Sequence, residues 1–261
     1  MRIWRNILPT IAALAFAVPV SGHMPYVLPT LFDAGGRDRV TVEAAFSEDP
    51  FRPEIAMRDA PFEITGPDAV TTKLSGAFFT RDRAVIEAAL PRDGLYRLSS
   101  GQRLGRMNKM YRRGQQWVVV GDGDTPPPGA ALIDVRSTTL ADAYVLRGKA
   151  GAGGAVKPRG VALEIVPVGD PSAYAAGSQL GFTILFNGKP LVDTDVTVFR
   201  ENGFYDGRKQ VAEIRSGKKG DVSATAPDAG RYLVMVRHRP DAPTTGDGHL
   251  SYTATLAFEV M

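Results

Sequence analysis

Leu180-Gly-Phe-Thr-Ile-Leu-Phe186 runs into Asn187-Gly188, and Asp195-Val-Thr-Val-Phe199 follows shortly after. In the first run Leu180, Phe182 and Ile184 recur at every second position. That period places one face of a strand in a core. Asn-Gly is the strongest short hairpin signal, because both residues tolerate the positive φ of a tight two-residue turn. Asp195 to Phe199 alternates again, with Val196 and Val198 on one face.

The same grammar extends in both directions. Val161-Ala-Leu-Glu-Ile-Val-Pro167 precedes the hairpin; Val211-Ala-Glu-Ile214, Asp221-Val-Ser-Ala-Thr225, Arg231-Tyr-Leu-Val-Met-Val-Arg-His238 and Leu250 to Val260 follow it. Seven short runs divided by turn residues predict an immunoglobulin-like or prealbumin-like sandwich. In the first half, Arg39 to Phe46, Ala84 to Leu90, Gly94 to Leu98 and Trp117 to Val120 also read as strands. No apolar stripe with helical spacing lasts beyond about three turns. The sequence therefore predicts an all-β protein of two β-sandwich domains after a cleaved signal peptide. The expected boundaries are a signal peptide over 1–22, an N-terminal β domain over 23–146, a linker over 147–159 and a C-terminal prealbumin-like sandwich over 160–261. The linker rests on Arg147-Gly-Lys-Ala-Gly-Ala-Gly-Gly-Ala-Val-Lys-Pro-Arg-Gly160, which has little to bury.

The halves echo each other. Leu90-Pro-Arg-Asp-Gly-Leu-Tyr96 and Ala226-Pro-Asp-Ala-Gly-Arg-Tyr232 both set a tyrosine at the start of a strand. Such a tyrosine closes a sandwich corner with its hydroxyl, so Tyr96 and Tyr232 read as architecture.

The first residues follow another logic. Arg2 and Arg5 precede the apolar stretch Ile7 to Val20, and small residues end at Gly22. This is the order of a secretory signal peptide, and the apolar stretch is too short to span a bilayer comfortably. The arginines are not adjacent and no cysteine follows, which argues against twin-arginine export and a lipoprotein anchor. Removing the leader lowers the formal charge of +3 by two units, so little basicity remains to attract nucleic acid or an anionic membrane. The expectation is a periplasmic protein with no membrane insertion after cleavage. With 44% hydrophobic and 23% charged residues the chain has an ordinary globular composition. It contains no cysteine, which excludes disulfides, thiolate metal sites and thiol catalysis.

No nucleophile elbow, P-loop, dinucleotide fingerprint or EF-hand loop occurs. Gly121-Asp-Gly-Asp124 reads as a turn, and Met107 to Arg113 as a solvated basic loop. The three histidines are more informative. Cleavage after Gly22 makes His23 the first residue, whose free amine and imidazole can chelate one ion. Neutral nitrogens suit Cu(II) and Ni(II). His238 and His249 flank the loop 239–248, and antiparallel flanking strands would bring both to its base. The expected metal ligands are thus His23, His238 and His249, with Asp247 as a further candidate. Asp241 is a second acid in the loop, and Met24 is a soft donor beside His23.

The segments Gly160 to Pro171, Gly177-Ser-Gln-Leu180, Leu185 to Leu191, Val196-Thr-Val198, Asp228-Ala-Gly-Arg-Tyr232, His238 and Ser251 to Phe258 resemble a periplasmic family of unassigned function. Its members are often labelled as periplasmic components of nickel or cobalt uptake. The family begins its mature part with a histidine followed by an aromatic-and-proline segment, matched here by His23-Met-Pro-Tyr-Val-Leu-Pro29. Many relatives carry an aromatic pair directly after that histidine, where this chain has Met24-Pro25. The resemblance implies a prealbumin-like β protein serving divalent metal uptake. The expectation is binding of nickel, cobalt or copper without catalytic turnover, and delivery to a membrane metal transporter or outer-membrane receptor. Two other readings stay open: a β-sandwich interaction module for protein or glycan, and a copper oxidative enzyme built on the N-terminal histidine.

Overall fold

The computed structural model describes residues 23–114, 116–121, 125–150, 153–240 and 248–261. The expected signal peptide, Asp122 to Asp124, part of the expected linker, Asp241 and Asp247 lie outside the described residues. Among the described residues the chain is all-β, apart from single helical turns such as Gly203–Asp206. No helix among them is long and apolar enough to cross a membrane.

The strands, numbered in chain order, form three sheets. The first joins β1 (Met24–Pro29), β2 (Arg39–Ser47), β7 (Ala84–Ala89) and β6 (Phe78–Phe79), with β3 (Ile55–Ala56) also on β2. The central sheet has ten strands. Its path runs β16 (Gln210–Arg215), β15 (Asp195–Arg200), β18 (Gly230–His238), β19 (His249–Val260), β11 (Leu132–Arg147), β8 (Gly94–Ser99), β4 (Glu63–Thr65), β5 (Thr71–Lys73). β9 (Arg103–Arg113) also pairs with β11, and β10 (Gln116–Val119) with β9. The third sheet is β12 (Leu163–Val168), β13 (Gln179–Phe186) and β14 (Lys189–Pro190), with β17 (Asp221–Thr225) on β13.

Alternation along the central strands assigns each face to a core. Tyr232, Val234 and Val236 of β18, with Ala254, Leu256 and Phe258 of β19, join the core under the third sheet. Leu233 of β18 and Ala257 of β19 join the core under the first sheet. Successive side chains of a strand point to opposite faces, so one pair of strands serves both cores. Parallel pairing of β11 with β19, from Val135↔His249 to Ala143↔Ala257, makes the sheet continuous across the two halves of the chain.

The hairpin at Asn187-Gly188 forms as its sequence dictates. Phe186 pairs with Lys189, and both turn residues have positive φ, 50° and 73°. Both tyrosine corners also form. The Tyr96 hydroxyl donates to Arg92 O at 2.7 Å and accepts from Arg92 N at 3.0 Å. The Tyr232 hydroxyl donates to Asp228 O at 2.7 Å and accepts from Asp228 N at 3.3 Å. Tyr96→Phe and Tyr232→Phe should each lower stability by about 1 kcal/mol, because each removes the hydroxyl's hydrogen bonds to the turn backbone. Urea unfolding of the two variants checks this, and an unchanged midpoint in both would deny the corners their role.

The basic run Met107 to Arg113 is a strand, against the expectation of a loop. It lies within β9, between β10 and β11. Most of its residues are exposed, so no apolar alternation betrays it. The end of the expected linker is bound tightly. Arg159 makes two hydrogen bonds of 2.8 Å to the buried Asp142 of β11 and one of 2.8 Å to Ser99 of β8. Glu164 accepts from the backbone N–H of Arg159 and Gly160 at 2.6 and 2.7 Å.

Candidate metal centre

β1 and β2 are antiparallel neighbours, with Met24 opposite Ser47. Continuing that register by one residue brings His23 opposite Glu48. The chain then turns through residues 48–54 and returns, with Glu54 N donating to Phe46 O at 3.1 Å. Glu54 is thereby carried back to the same end of the sheet. Its Oε2 lies 3.0 Å from His23 Nε2, and its Oε1 accepts the Glu48 N–H at 3.0 Å. One ligand atom each from His23, Glu48 and Glu54 fall within 4.8 Å of one another.

The turn is held from two sides. Phe51, at φ 59°, is buried edge-on against Tyr26 with ring centroids 5.4 Å apart. A bulky residue in the left-handed region is unfavourable by itself, so this packing is what maintains the turn. From the second half of the chain, Lys209 Nζ donates to Asp49 at 2.8 Å, and the Arg52 guanidinium stacks 3.7 Å from the Phe204 ring centroid. The His23 and Glu54 side chains remain 37% and 40% exposed. A polar contact that open contributes little to stability, and its donor atoms are accessible to an ion. One imidazole nitrogen and carboxylate oxygens form a borderline donor set suited to first-row divalent metals.

Beside this trio a cleft of about 570 Å³ opens between the first sheet and the ends of β15 and β18. Leu28, Glu43, Phe51, Arg52, Glu54, Arg83, Glu201 and Arg231 line it. Arg83 is fully engaged: it donates to Glu43 at 2.6 Å and to Asp82 at 2.9 and 3.3 Å. Hydrogen bonds from Arg83 and then Thr80 hold the Asp82 carboxyl down at about 2. Burial, and then the bond to Glu43, push the Tyr26 hydroxyl far up, so it stays protonated and serves as a donor.

The structure does not gather the three histidines. β18 and β19 pair antiparallel, as expected of the strands flanking the loop, but His238 pairs with Tyr252. His249 is three residues before Tyr252, a displacement of about 10 Å along the strand at the usual rise. The faces differ as well. His238 shares the face of Val236 and packs edge-on to Phe186, with ring centroids 4.7 Å apart, on the third-sheet side. His249 alternates with Leu250 and Tyr252, which face that side, and so points the other way. His23 lies on the first-sheet side. Among the described residues the only group of three or more such ligands is His23, Glu48 and Glu54. Asp247 lies outside the described residues.

Glu48 and Glu54 escape a reading of sequence alone. Both belong to a polar turn, Ser47-Glu-Asp-Pro-Phe-Arg-Pro-Glu54, with no ligand spacing of its own. Only the register of β1 on β2 connects that turn to His23. The pairing of Met24–Pro29 with β2 is the signal that leads from His23 to Glu48.

Three solved structures serve for comparison. The D0-D1 domain of intimin is 12% identical, covering 89% of this chain and 96% of that one, with a TM-score of 0.22. An Escherichia coli alpha-2-macroglobulin activated by porcine elastase is 9% identical, covering 92% of this chain and 20% of that one, with a TM-score of 0.23. The Yersinia pseudotuberculosis adhesin InvE is 11% identical, covering 90% and 58%, with a TM-score of 0.20. No curated protein matches the chain. The family described as Domain of unknown function (DUF4198) matches residues 20–240.

Proposed function

The chain belongs to the DUF4198 family, and on that premise we propose that it binds a divalent transition-metal ion, nickel, cobalt or copper, at His23, Glu48 and Glu54. The observation that carries this reading is the convergence of their ligand atoms within 4.8 Å at an accessible sheet end. The reading places the protein in the periplasm after removal of residues 1–22. His23 is then the first residue, and its free amine joins the imidazole in a chelate. Amine, imidazole and two carboxylates make a four-donor set, and the Irving–Williams order gives copper the highest raw affinity. The ion is cargo: the protein holds it without catalytic turnover and passes it to a membrane metal transporter or outer-membrane receptor.

Mass spectrometry of the exported protein tests the first residue. A start before His23 removes the amine and leaves three side-chain ligands, whereas a start after it removes the imidazole as well and overturns the site. Equilibrium dialysis with Ni(II), Co(II) and Cu(II) tests the site. His23→Ala and Glu54→Gln should each weaken binding by more than about tenfold, equivalent to about 1.4 kcal/mol. His238→Ala and His249→Ala should leave it unchanged. Absence of binding by the wild type, or a loss confined to the His238 or His249 variants, would overturn the assignment.

A further inference from the structure

The metal trio occupies one edge of a cleft far larger than an ion needs. Its volume of about 570 Å³ falls in the range of sites for small organic molecules. Glu54 belongs to both the trio and the cleft lining. Of the three arginines there, Arg83 has its donors committed to Glu43 and Asp82. The other two do not. Arg231 is ion-paired with Glu201 at 3.6 Å, too long for a hydrogen bond, so its N–H groups stay open to a shorter partner. The Arg52 guanidinium carbon lies over the Phe204 ring, 3.7 Å from its centroid. Stacking uses the face of a guanidinium and leaves its in-plane N–H groups free, in the fork that fits a carboxylate. When Glu54 ligates a cation, the rest of the cleft has more positive than negative groups. An ion approached from this side thus meets anion-binding groups.

We propose that the cargo is a divalent ion complexed by a small polycarboxylate: the ion rests on His23, Glu48 and Glu54, and free carboxylate arms rest on Arg52 and Arg231. This rests on the metal-binding reading above and adds the class of chelator. The arms serve two purposes. They complete coordination that the protein leaves open, and they select a complexed ion over a bare one.

The test is equilibrium dialysis with radiolabelled citrate, with and without Ni(II), alongside Ni(II) alone. The wild type should retain about one citrate per Ni(II), and none without the metal. In Arg52→Gln and Arg231→Gln the ratio of citrate to Ni(II) retained should fall about tenfold. Citrate that strips Ni(II) from the protein, citrate retained without metal, or a ratio indifferent to both arginines would each overturn the proposal. Those outcomes are distinct from failure of the metal site, which shows as no retention of Ni(II) with or without citrate and sinks both readings together.

Discussion

Arg159→Ala is expected to destabilise the protein by about 3–5 kcal/mol, the range for removing one partner of a buried ion pair. Asp142 is 5% exposed and receives both terminal guanidinium nitrogens of Arg159. Arg97 contributes a second charge to the carboxylate. Without Arg159 the carboxylate remains in a dry site without its main counter-charge. The double variant Arg159→Met with Asp142→Leu should recover most of the loss, because matched apolar replacements of buried pairs are often neutral or better. Urea unfolding of the three proteins checks this. Equal instability of the single and double variants would show that packing, not charge, is at stake.

The same pair predicts a pH dependence. Burial pushes the Asp142 carboxyl up, but the charge and hydrogen bonds of Arg159, with help from Arg97 and Ser99, outweigh it and hold it below its ordinary value. A depressed carboxylate contributes stability that is present above the unfolded-state value of about 3.9 and is lost as pH falls through the lower folded value. In Arg159→Met only Arg97 and Ser99 oppose burial, so Asp142 titrates higher. The stability gap between wild type and Arg159→Met should therefore narrow on acidification through about pH 4. A gap that stays constant from neutral pH to acid would rule out Asp142 as its source.

Phe258→Ala is expected to cost about 3–5 kcal/mol, as large-to-small changes at fully buried aromatics do. Phe258 is 1% exposed and touches three rings. It stacks on Tyr232 at 5.6 Å and meets Tyr174 and Phe182 at 5.3 and 5.7 Å. Its loss leaves a cavity where the central and third sheets meet and undermines the Tyr232 corner. β19 also supplies Ala257 to the opposite core, so damage on one face is felt on the other. Trp117 fluorescence and far-ultraviolet circular dichroism should consequently report one shared unfolding transition, shifted by the same amount. A shift in dichroism alone, with Trp117 unmoved, would show that the β9–β10 edge of the central sheet unfolds apart from the core around Phe258.

Most strands were legible because they are half-buried and alternate. Val196 and Val198, or Tyr232, Val234 and Val236, recur at the period of a pleated strand. The tyrosine corners were legible because a short local pattern suffices to form them. β9 was not, since a strand exposed along most of its length has no apolar face to display. The long β11 was also missed: its second half is buried on both faces, so alternation disappears. At the candidate site His23 stands out in the sequence, as a histidine behind a stretch ordered like a secretory leader. Glu48 and Glu54 were not, because carboxylates in a polar turn look like any solvated pair.

The chain's own sequence therefore determined the β class, the hairpin at Asn187-Gly188 and both corners. Each is written within a few neighbouring residues, where alternation and turn stereochemistry act locally. Tertiary structure alone decided that β11 and β19 run side by side, that His238 and His249 face opposite ways, and that two glutamates meet His23. Strand register is a relation between distant segments, and a displacement of one residue reverses every side chain. No local pattern encodes it; the packing of both cores against one shared sheet does.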